Sequence, residues 1–212
     1  MIIIFDMDGT LVDTYPIIRK SFIEVINKHL PDVEYNEEML ESFFGPPLAD
    51  SFAKLTDNDR TKTKFLISEY RKVNKELYEK EIKLFPGVLE TLEKLKEYKL
   101  VVLSNRVQEL VELGLTVTGI HNYFDLVFGL DELPRPKPYP DGIYKILDKF
   151  DEDKAVFIGD ATTDIISARR AHITSIGVTW AITKRKEFEE EYADYIIDSF
   201  EELIKILEEI DV

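Results

Sequence analysis

Residues 1–10 read MIIIFDMDGT. The run Ile2–Phe5 is short, apolar and rich in isoleucine, as a strand covered on both faces of a sheet requires. It runs straight into two acids, Asp6 and Asp8, with no counter-charge beside them in the sequence. Residues i and i+2 of an extended segment point the same way, so both carboxylates share one side of the chain. In open α/β sheets ligands bind beyond the carboxyl ends of the strands. The acids therefore mark a candidate site.

Further runs of the same type occur at Leu100–Leu103, Asp125–Phe128, Ala155–Ile158, Thr174–Val178 and Tyr195–Ile197. Helical patterns separate them. Val88, Leu92 and Leu95 recur at helical spacing, as do Leu203, Ile206, Leu207 and Ile210 after a capping box of Ser199 and Glu202. This alternation predicts an α/β fold, a Rossmann-like doubly wound parallel sheet. Between Phe5 and Leu100 no strand pattern occurs. Ile18, Phe22, Val25 and Ile26 form an apolar stripe, and Asn36 precedes Glu37 and Glu38 as a helix cap. Gly45-Pro46-Pro47 stops that helix. A long polar helix then runs from about Asp59 to Lys80 and carries Phe65, Ile67, Tyr70, Val73 and Leu77. Some 65 residues is too long for one strand-to-helix connection. The expectation is a core of residues 1–14 and 82–212 with an all-helical insert at 15–81.

Composition narrows the class. Net charge is −15, with no basic cluster beyond Lys184-Arg185-Lys186, so nucleic acid is not an expected partner. No apolar run approaches a membrane span, and no basic stretch leads into an apolar one at the start. A cytoplasmic protein without membrane partners is the default. Cysteine is absent, which excludes disulfides and thiolate metal sites. Charged residues reach 33% and Gln108 is the only glutamine, a mix that leans toward a thermophile. His29, His121 and His172 fit no ligand spacing, and Trp180 reads as a packing residue. Phe43, Phe44 and Leu48 read as core of the helical insert, and Arg19 as an exposed helix-face residue.

The residues just past each strand carry the chemistry. After the first come Asp6, Asp8, Gly9 and Thr10; after the second, Ser104 and Asn105; past the third, Lys137 in RPKPYP; after the fourth, Gly159, Asp160 and Asp164. Four acids in one cleft repel each other unless a cation joins them, and hard oxygen ligands without His or Cys suit Mg²⁺. Lys137 and loop amides would then hold an anion beside the metal, and a dianionic phosphate needs that combination. Asp6 can attack phosphorus and become an aspartyl phosphate. Asp8 can protonate the leaving oxygen and later deprotonate the attacking water. Gly9 lets the backbone come close to the phosphate.

DxDGT at the first strand, Ser-Asn at the second, Lys before a proline loop and GDATTD together resemble the haloacid dehalogenase superfamily of aspartate-nucleophile hydrolases. The resemblance covers the whole chain in order, and the helical insert stands where C1 caps stand. It implies Asp6 as nucleophile and Mg²⁺ ligand, and Asp8 as general acid/base whose backbone carbonyl also faces the metal. Ser104 and the Asn105 amide would be phosphate donors, helped by Thr10. Lys137 would neutralise phosphate and orient Asp6. Asp160 would be the second side-chain metal ligand, and Asp164 a nearby acid that positions a metal-bound water.

Asp8 and the GDATTD acids argue against the metal-free dehalogenase branch. The segment FFGPPLADSF has no lysine before Lys54, which argues against the phosphonatase branch, whose cap supplies a Schiff-base lysine. Pro46 and Pro47 stand where sugar phosphomutases carry a basic residue. GPPL, GVTWAI and ADYIIDSFEEL look most similar to phosphoglycolate phosphatase-like proteins and their pyrophosphatase relatives, although Ala181 stands where many of these carry glycine. The resemblance implies a Mg²⁺-dependent phosphatase acting on a small phosphorylated metabolite, as a monomer or homodimer. Inorganic pyrophosphatase and sugar phosphomutase are the enzyme alternatives. A receiver-like phospho-acceptor module is the non-enzyme alternative, disfavoured by the insert and by Asp8. The substrate itself is not written in any one residue of the insert.

Overall fold

The computed structural model describes residues 1–44 and 48–210; the expected stop at Gly45-Pro46-Pro47 lies outside the described residues. The chain divides into two compact units. One comprises residues 1–13 and 83–212, the other residues 14–82. The helical unit thus begins and ends one residue outside the expected 15–81.

The first unit is a parallel sheet of six strands: β1 (Ile2–Phe5), β2 (Lys99–Leu103), β3 (Leu126–Phe128), β4 (Ala155–Gly159), β5 (Thr174–Val178) and β6 (Tyr195–Ile197). Their order is β3-β2-β1-β4-β5-β6. Helices α5 (Val88–Leu95), α6 (Gln108–Val117), α7 (Asp141–Phe150), α8 (Thr162–Ala171), α9 (Arg185–Glu190) and α10 (Phe200–Ile210) make the crossovers. The chain winds outward from β1 to β3, then returns to lay β4 against the other side of β1. That reversal puts a crevice between the ends of β1 and β4, where doubly wound sheets bind ligands. Phe5 is in register with Val102 on one side and Ile158 on the other, so the loops after these strands emerge side by side.

β1 is wholly buried, as its run of isoleucines anticipates. Ile2 and Ile4 pack with Val101, Leu103, Ile143, Ile146, Phe157 and Ala168 in one core cluster. Three strands depart from the expected limits by one residue: β2 begins earlier, at Lys99, β4 runs on to Gly159, and β3 is shorter. It starts at Leu126 because Asp125 turns its carboxylate back onto the Leu100 N–H (3.0 Å) and Lys99 (3.2 Å). At the end the expected cap is present but long: the Glu202 N–H donates to Ser199 Oγ at 3.4 Å. The chain leaves and re-enters this unit along paired segments. Phe85 N–H donates to Leu11 O (3.0 Å) and Asp13 N–H to Lys83 O (2.9 Å).

The second unit contains α1 (Tyr15–His29), α2 (Glu37–Glu41), α3 (Leu48–Leu55) and α4 (Arg60–Glu81). The Asn36 carboxamide accepts the Met39 N–H at 2.9 Å, as a cap should, and Asp59 caps α4 through the N–H groups of Thr61 and Lys62. Phe22 is the hub of its core, with ring centres of Phe43, Phe52 and Tyr70 at 4.7, 5.1 and 4.7 Å. Phe43 is buried there, Leu48 packs against it, and Phe44 stacks on Tyr15. The face of α4 that is buried differs from the apolar reading. Thr63, Leu66, Tyr70, Asn74 and Tyr78 point inward, whereas Phe65 is 49% exposed. A polar strip inside the unit accounts for this. Asn74 Nδ2 donates to Ser21 Oγ (3.1 Å), Ser21 donates to Ile17 O (2.7 Å), and Thr56 bonds Thr63 (2.8 Å). Arg19 is engaged within the unit, with Glu37.

Candidate active site

Four strand ends supply the site. The turn after β1 is tied by its own backbone: Met7 O accepts the N–H groups of Leu11 (2.9 Å) and Val12 (3.1 Å), and Gly9 N–H donates to Val12 O (2.9 Å). Gly9 has φ +78, which favours glycine. A Cβ there would stand 2.1 Å from Asp160 Oδ2, so the space left by the missing side chain is filled by an acid from the end of β4. Gly159 does the same for Asp164, whose Oδ2 would lie 2.2 Å from its Cβ. Two glycines thus let two carboxylates approach the backbone closely.

Asp6, Asp160 and Asp164 form one group, each with a carboxylate oxygen within 4.8 Å of the others. Lys137 is the cation buried among them. Its Nζ lies 2.8 Å from Asp6 Oδ1 and 2.7 Å from Asp164 Oδ1, and donates to Leu103 O at 3.0 Å. The Leu103 contact has hydrogen-bond geometry, whereas the contacts to Asp6 Oδ1 and Asp164 Oδ1 are ion pairs. The lysine is positioned through its backbone. Asn105 makes a two-point clamp, with Nδ2 donating to Lys137 O (3.0 Å) and Oδ1 accepting the Lys137 N–H (2.9 Å). α8 holds the proline loop from the other end, where Arg170 donates to Pro138 O (2.9 Å) and Ser167 to Tyr139 O (3.2 Å).

One buried lysine does not neutralise three acids. Burial pushes the Asp6 carboxyl up to about 7; Lys137 pulls it down, while Asp164 and Asp8 add to the rise. Asp160 is raised well above the usual carboxylate range, first by burial and then by Asp6 and Asp164. Lys137 is raised as well: burial alone would lower it, but Asp164 and Asp6 hold its proton. The cluster is short of positive charge, and oxygen-only donors in that state suit a hard divalent cation.

The remaining expected residues separate. Thr10 is buried and its hydroxyl donates to Asp160 Oδ1 at 3.3 Å. Ser104 is buried at the end of β2, where its Oγ accepts the Arg106 N–H (3.2 Å). Asp164 also accepts the Ala161 N–H at 3.0 Å, so it caps α8 as well as facing Lys137. The Asp8 carboxylate stands outside the acidic group. Its Oδ2 accepts from Arg106 Nε at 2.7 Å, and its buried Oδ1 has no hydrogen-bond partner among the described residues. Arg106 escaped the sequence reading. The signal was present: a basic residue two places after Ser104, in a strand-end loop.

Trp180 packs, as expected, on Phe200 with ring centres 4.5 Å apart. It also reaches the site, donating Nε1–H to Thr10 O at 3.1 Å. His29 lies beside Glu69 (3.3 Å) within the helical unit, and His121 beside Glu112 (2.5 Å) in the sheet unit.

Residues 3–178 match the family of haloacid dehalogenase-like hydrolases. The chain belongs to that family. Its sequence is 31% identical to pyrophosphatase PpaX of Bacillus cereus over 98% of this chain and 96% of that one. Among solved structures, a predicted phosphatase from Clostridium acetobutylicum is 32% identical with a TM-score of 0.81, covering 98% of each chain. A predicted phosphoglycolate phosphatase from Haemophilus somnus is 27% identical with a TM-score of 0.86, covering 97% of each. This family member is thus a hydrolase with an α/β fold, built on a six-stranded parallel sheet, and its relatives are named as phosphatases. Among the described residues no helix is long and apolar enough to cross a membrane.

Proposed function

We propose that the chain is a Mg²⁺-dependent phosphatase that hydrolyses a small phosphorylated metabolite through an aspartyl phosphate on Asp6. The observation that carries this reading is the buried group of Asp6, Asp160 and Asp164 around Lys137, with Asp8 two residues from Asp6 and its carboxylate paired with Arg106. Asp6 and Asp160 would hold the metal through their side chains, Asp8 through its carbonyl, and Asp164 directly or through water. Bound there, Mg²⁺ would offset the surplus negative charge and draw electron density from the phosphoryl group.

With its charge restored, Asp6 attacks phosphorus in line with the leaving oxygen. Lys137 holds the Asp6 carboxylate in one orientation and presents positive charge toward the phosphoryl oxygens. Asp8 gives its proton to the departing oxygen. In the second step it takes a proton from water, which attacks the phosphorus and releases Asp6. Ser104 and the loop amides after β1 and β2 serve as phosphate donors, and Thr10 and Gly9 keep Asp160 in place. Residues 15–81 act as a C1-type cap that selects the substrate.

Two substrates have support. Phosphoglycolate-like monoesters fit the subfamily signature in the tail and the kinship with phosphoglycolate phosphatase-like structures. Inorganic pyrophosphate is favoured by the near full-length similarity to pyrophosphatase PpaX. Assays of phosphoglycolate, pyrophosphate, hexose phosphates and p-nitrophenyl phosphate with added Mg²⁺ test the reading. Turnover should vanish with EDTA and fall by about 10³-fold or more in Asp6→Asn. Activity that survives either change contradicts it.

A further inference from the structure

Arg106 holds the proton-transferring acid of the proposed reaction. Its Nε donates to Asp8 Oδ2 at 2.7 Å, in an ion pair with side chains only 13% and 23% exposed. The pairing joins residues 98 positions apart, from the loops after β1 and β2. Those loops emerge side by side because β1 and β2 are neighbours in register. The backbone N–H of Arg106 is fixed as well, on Ser104 Oγ at 3.2 Å. Arg106 is therefore anchored through its backbone as well as through its side chain.

Its location relative to the reaction is set by Asp8. A group that protonates the leaving oxygen must sit on the leaving-group side of phosphorus. Arg106, bonded to that group, sits there too. Asp6 and Lys137 belong to the other side, where phosphorus is attacked. A neutral alcohol leaving past Asp8 needs no charge partner. An anionic leaving group, such as a second phosphate or a carboxylate close to the bridging oxygen, would meet Asp6, and Asp8 once it has given up its proton, as like charges. A guanidinium beside Asp8 reverses that, since its fork of donors suits phosphate and carboxylate oxygens.

We propose that Arg106 is a specificity-determining residue that binds the leaving group and favours substrates whose leaving group is itself an anion within a few bonds of the phosphoryl centre. The proposal rests on the phosphatase reading and narrows its substrate class to compounds such as pyrophosphate and short phospho-carboxylic acids. It also makes Arg106 the residue that fixes the Asp8 rotamer.

The test compares Arg106→Gln and Arg106→Lys with the wild type on three substrates: pyrophosphate, phosphoglycolate and p-nitrophenyl phosphate. Thermal melts confirm that each variant is folded. In Arg106→Gln, kcat/KM for the first two should fall about 100-fold or more, with KM carrying much of the loss. The value for p-nitrophenyl phosphate, whose leaving group needs little help from an acid or a cation, should fall by about tenfold or less. Arg106→Lys keeps the charge without the fork and should fall between. An equal loss on all three substrates, or no loss on the anionic ones, overturns the proposal. So does a wild type that turns over p-nitrophenyl phosphate alone, which leaves the phosphatase reading standing. A wild type with no Asp6-dependent turnover of any of the three overturns both.

Discussion

Each of the two units buries polar side chains, but of different kinds. In the helical unit they are neutral: Thr14, Ser21, Ser51, Thr56, Thr63 and Asn74. Of these, Ser21, Thr56, Thr63 and Asn74 form a network with one another, backbone carbonyls and the Tyr70 hydroxyl, and Ser51 Oγ has no partner among the described residues. In the sheet unit they include charges: Asp6, Lys137 and Asp164, gathered at the strand ends. A satisfied neutral network costs a fold little and fixes one packing arrangement. A buried charged cluster costs several kcal/mol of desolvation per ion and is weak evidence for stability. Such a cluster is kept for what it does, and the concentration of charge in one unit separates chemistry from scaffolding.

Substitutions in both units can break that contrast. The largest effect on stability should come from Lys137→Met, which leaves Asp6 and Asp164 buried without their cation. It should cost about 3–5 kcal/mol near neutral pH in urea unfolding. Added Mg²⁺ should recover part of that cost. If the loss is under about 1 kcal/mol, the charges are better solvated than their burial implies.

An intermediate effect concerns pH. The Asp6 carboxyl is raised to about 7 in the folded chain, mainly by burial, whereas an unfolded aspartate titrates near 3.8. Between those values the folded protein keeps a proton that the unfolded chain has released. Metal-free protein should therefore lose stability as pH rises from about 4 to about 7, by roughly 2–4 kcal/mol from this group, and then level off. Asp6→Asn cannot ionise, so it should lose the Asp6 share of the slope, keep the share from Asp160, whose burial also raises it, and be more stable than metal-free wild type at pH 8. Denaturant melts across pH check both curves. A parallel slope in the two proteins would assign the pH dependence elsewhere.

The smallest effect belongs to the helical unit. Asn74→Leu removes the bonds to Ser21 and to the Tyr70 hydroxyl, while the Ser21 donor stays on Ile17 O. The cost should be about 1–2 kcal/mol, independent of pH and of Mg²⁺. A Mg²⁺-dependent change there would blur the contrast between the units.

Much of the sheet unit was legible because parallel strands buried on both faces are written as unbroken apolar runs, and the reactive residues come directly after those runs. Ile2–Phe5, Thr174–Val178 and Tyr195–Ile197 appear at the expected limits. β3 did not, because Asp125 folds back onto its neighbour instead of extending the strand. The buried face of α4 was obscured because Thr63 and Asn74 point inward, which breaks the apolar period and makes exposed Phe65 look internal. At the site, residue types foretold the acidic group and its lysine. They did not foretell pairings across the sheet. Arg106 with Asp8, Asn105 with the Lys137 backbone, and Asp160 in the space beside Gly9 all join segments distant in sequence. Only the strand order brings them together.

The central claim is that Asp6 is the nucleophile, and trapping its phosphorylated form tests this most directly. Wild-type protein turning over p-nitrophenyl phosphate with Mg²⁺ is quenched with borohydride, which reduces an acyl phosphate to an alcohol, and the peptide spanning Asp6 is read by mass spectrometry. The account predicts homoserine at position 6, dependent on both substrate and Mg²⁺ and absent in Asp6→Asn. Sustained turnover with an unmodified Asp6, or with the label on another aspartate, would contradict it.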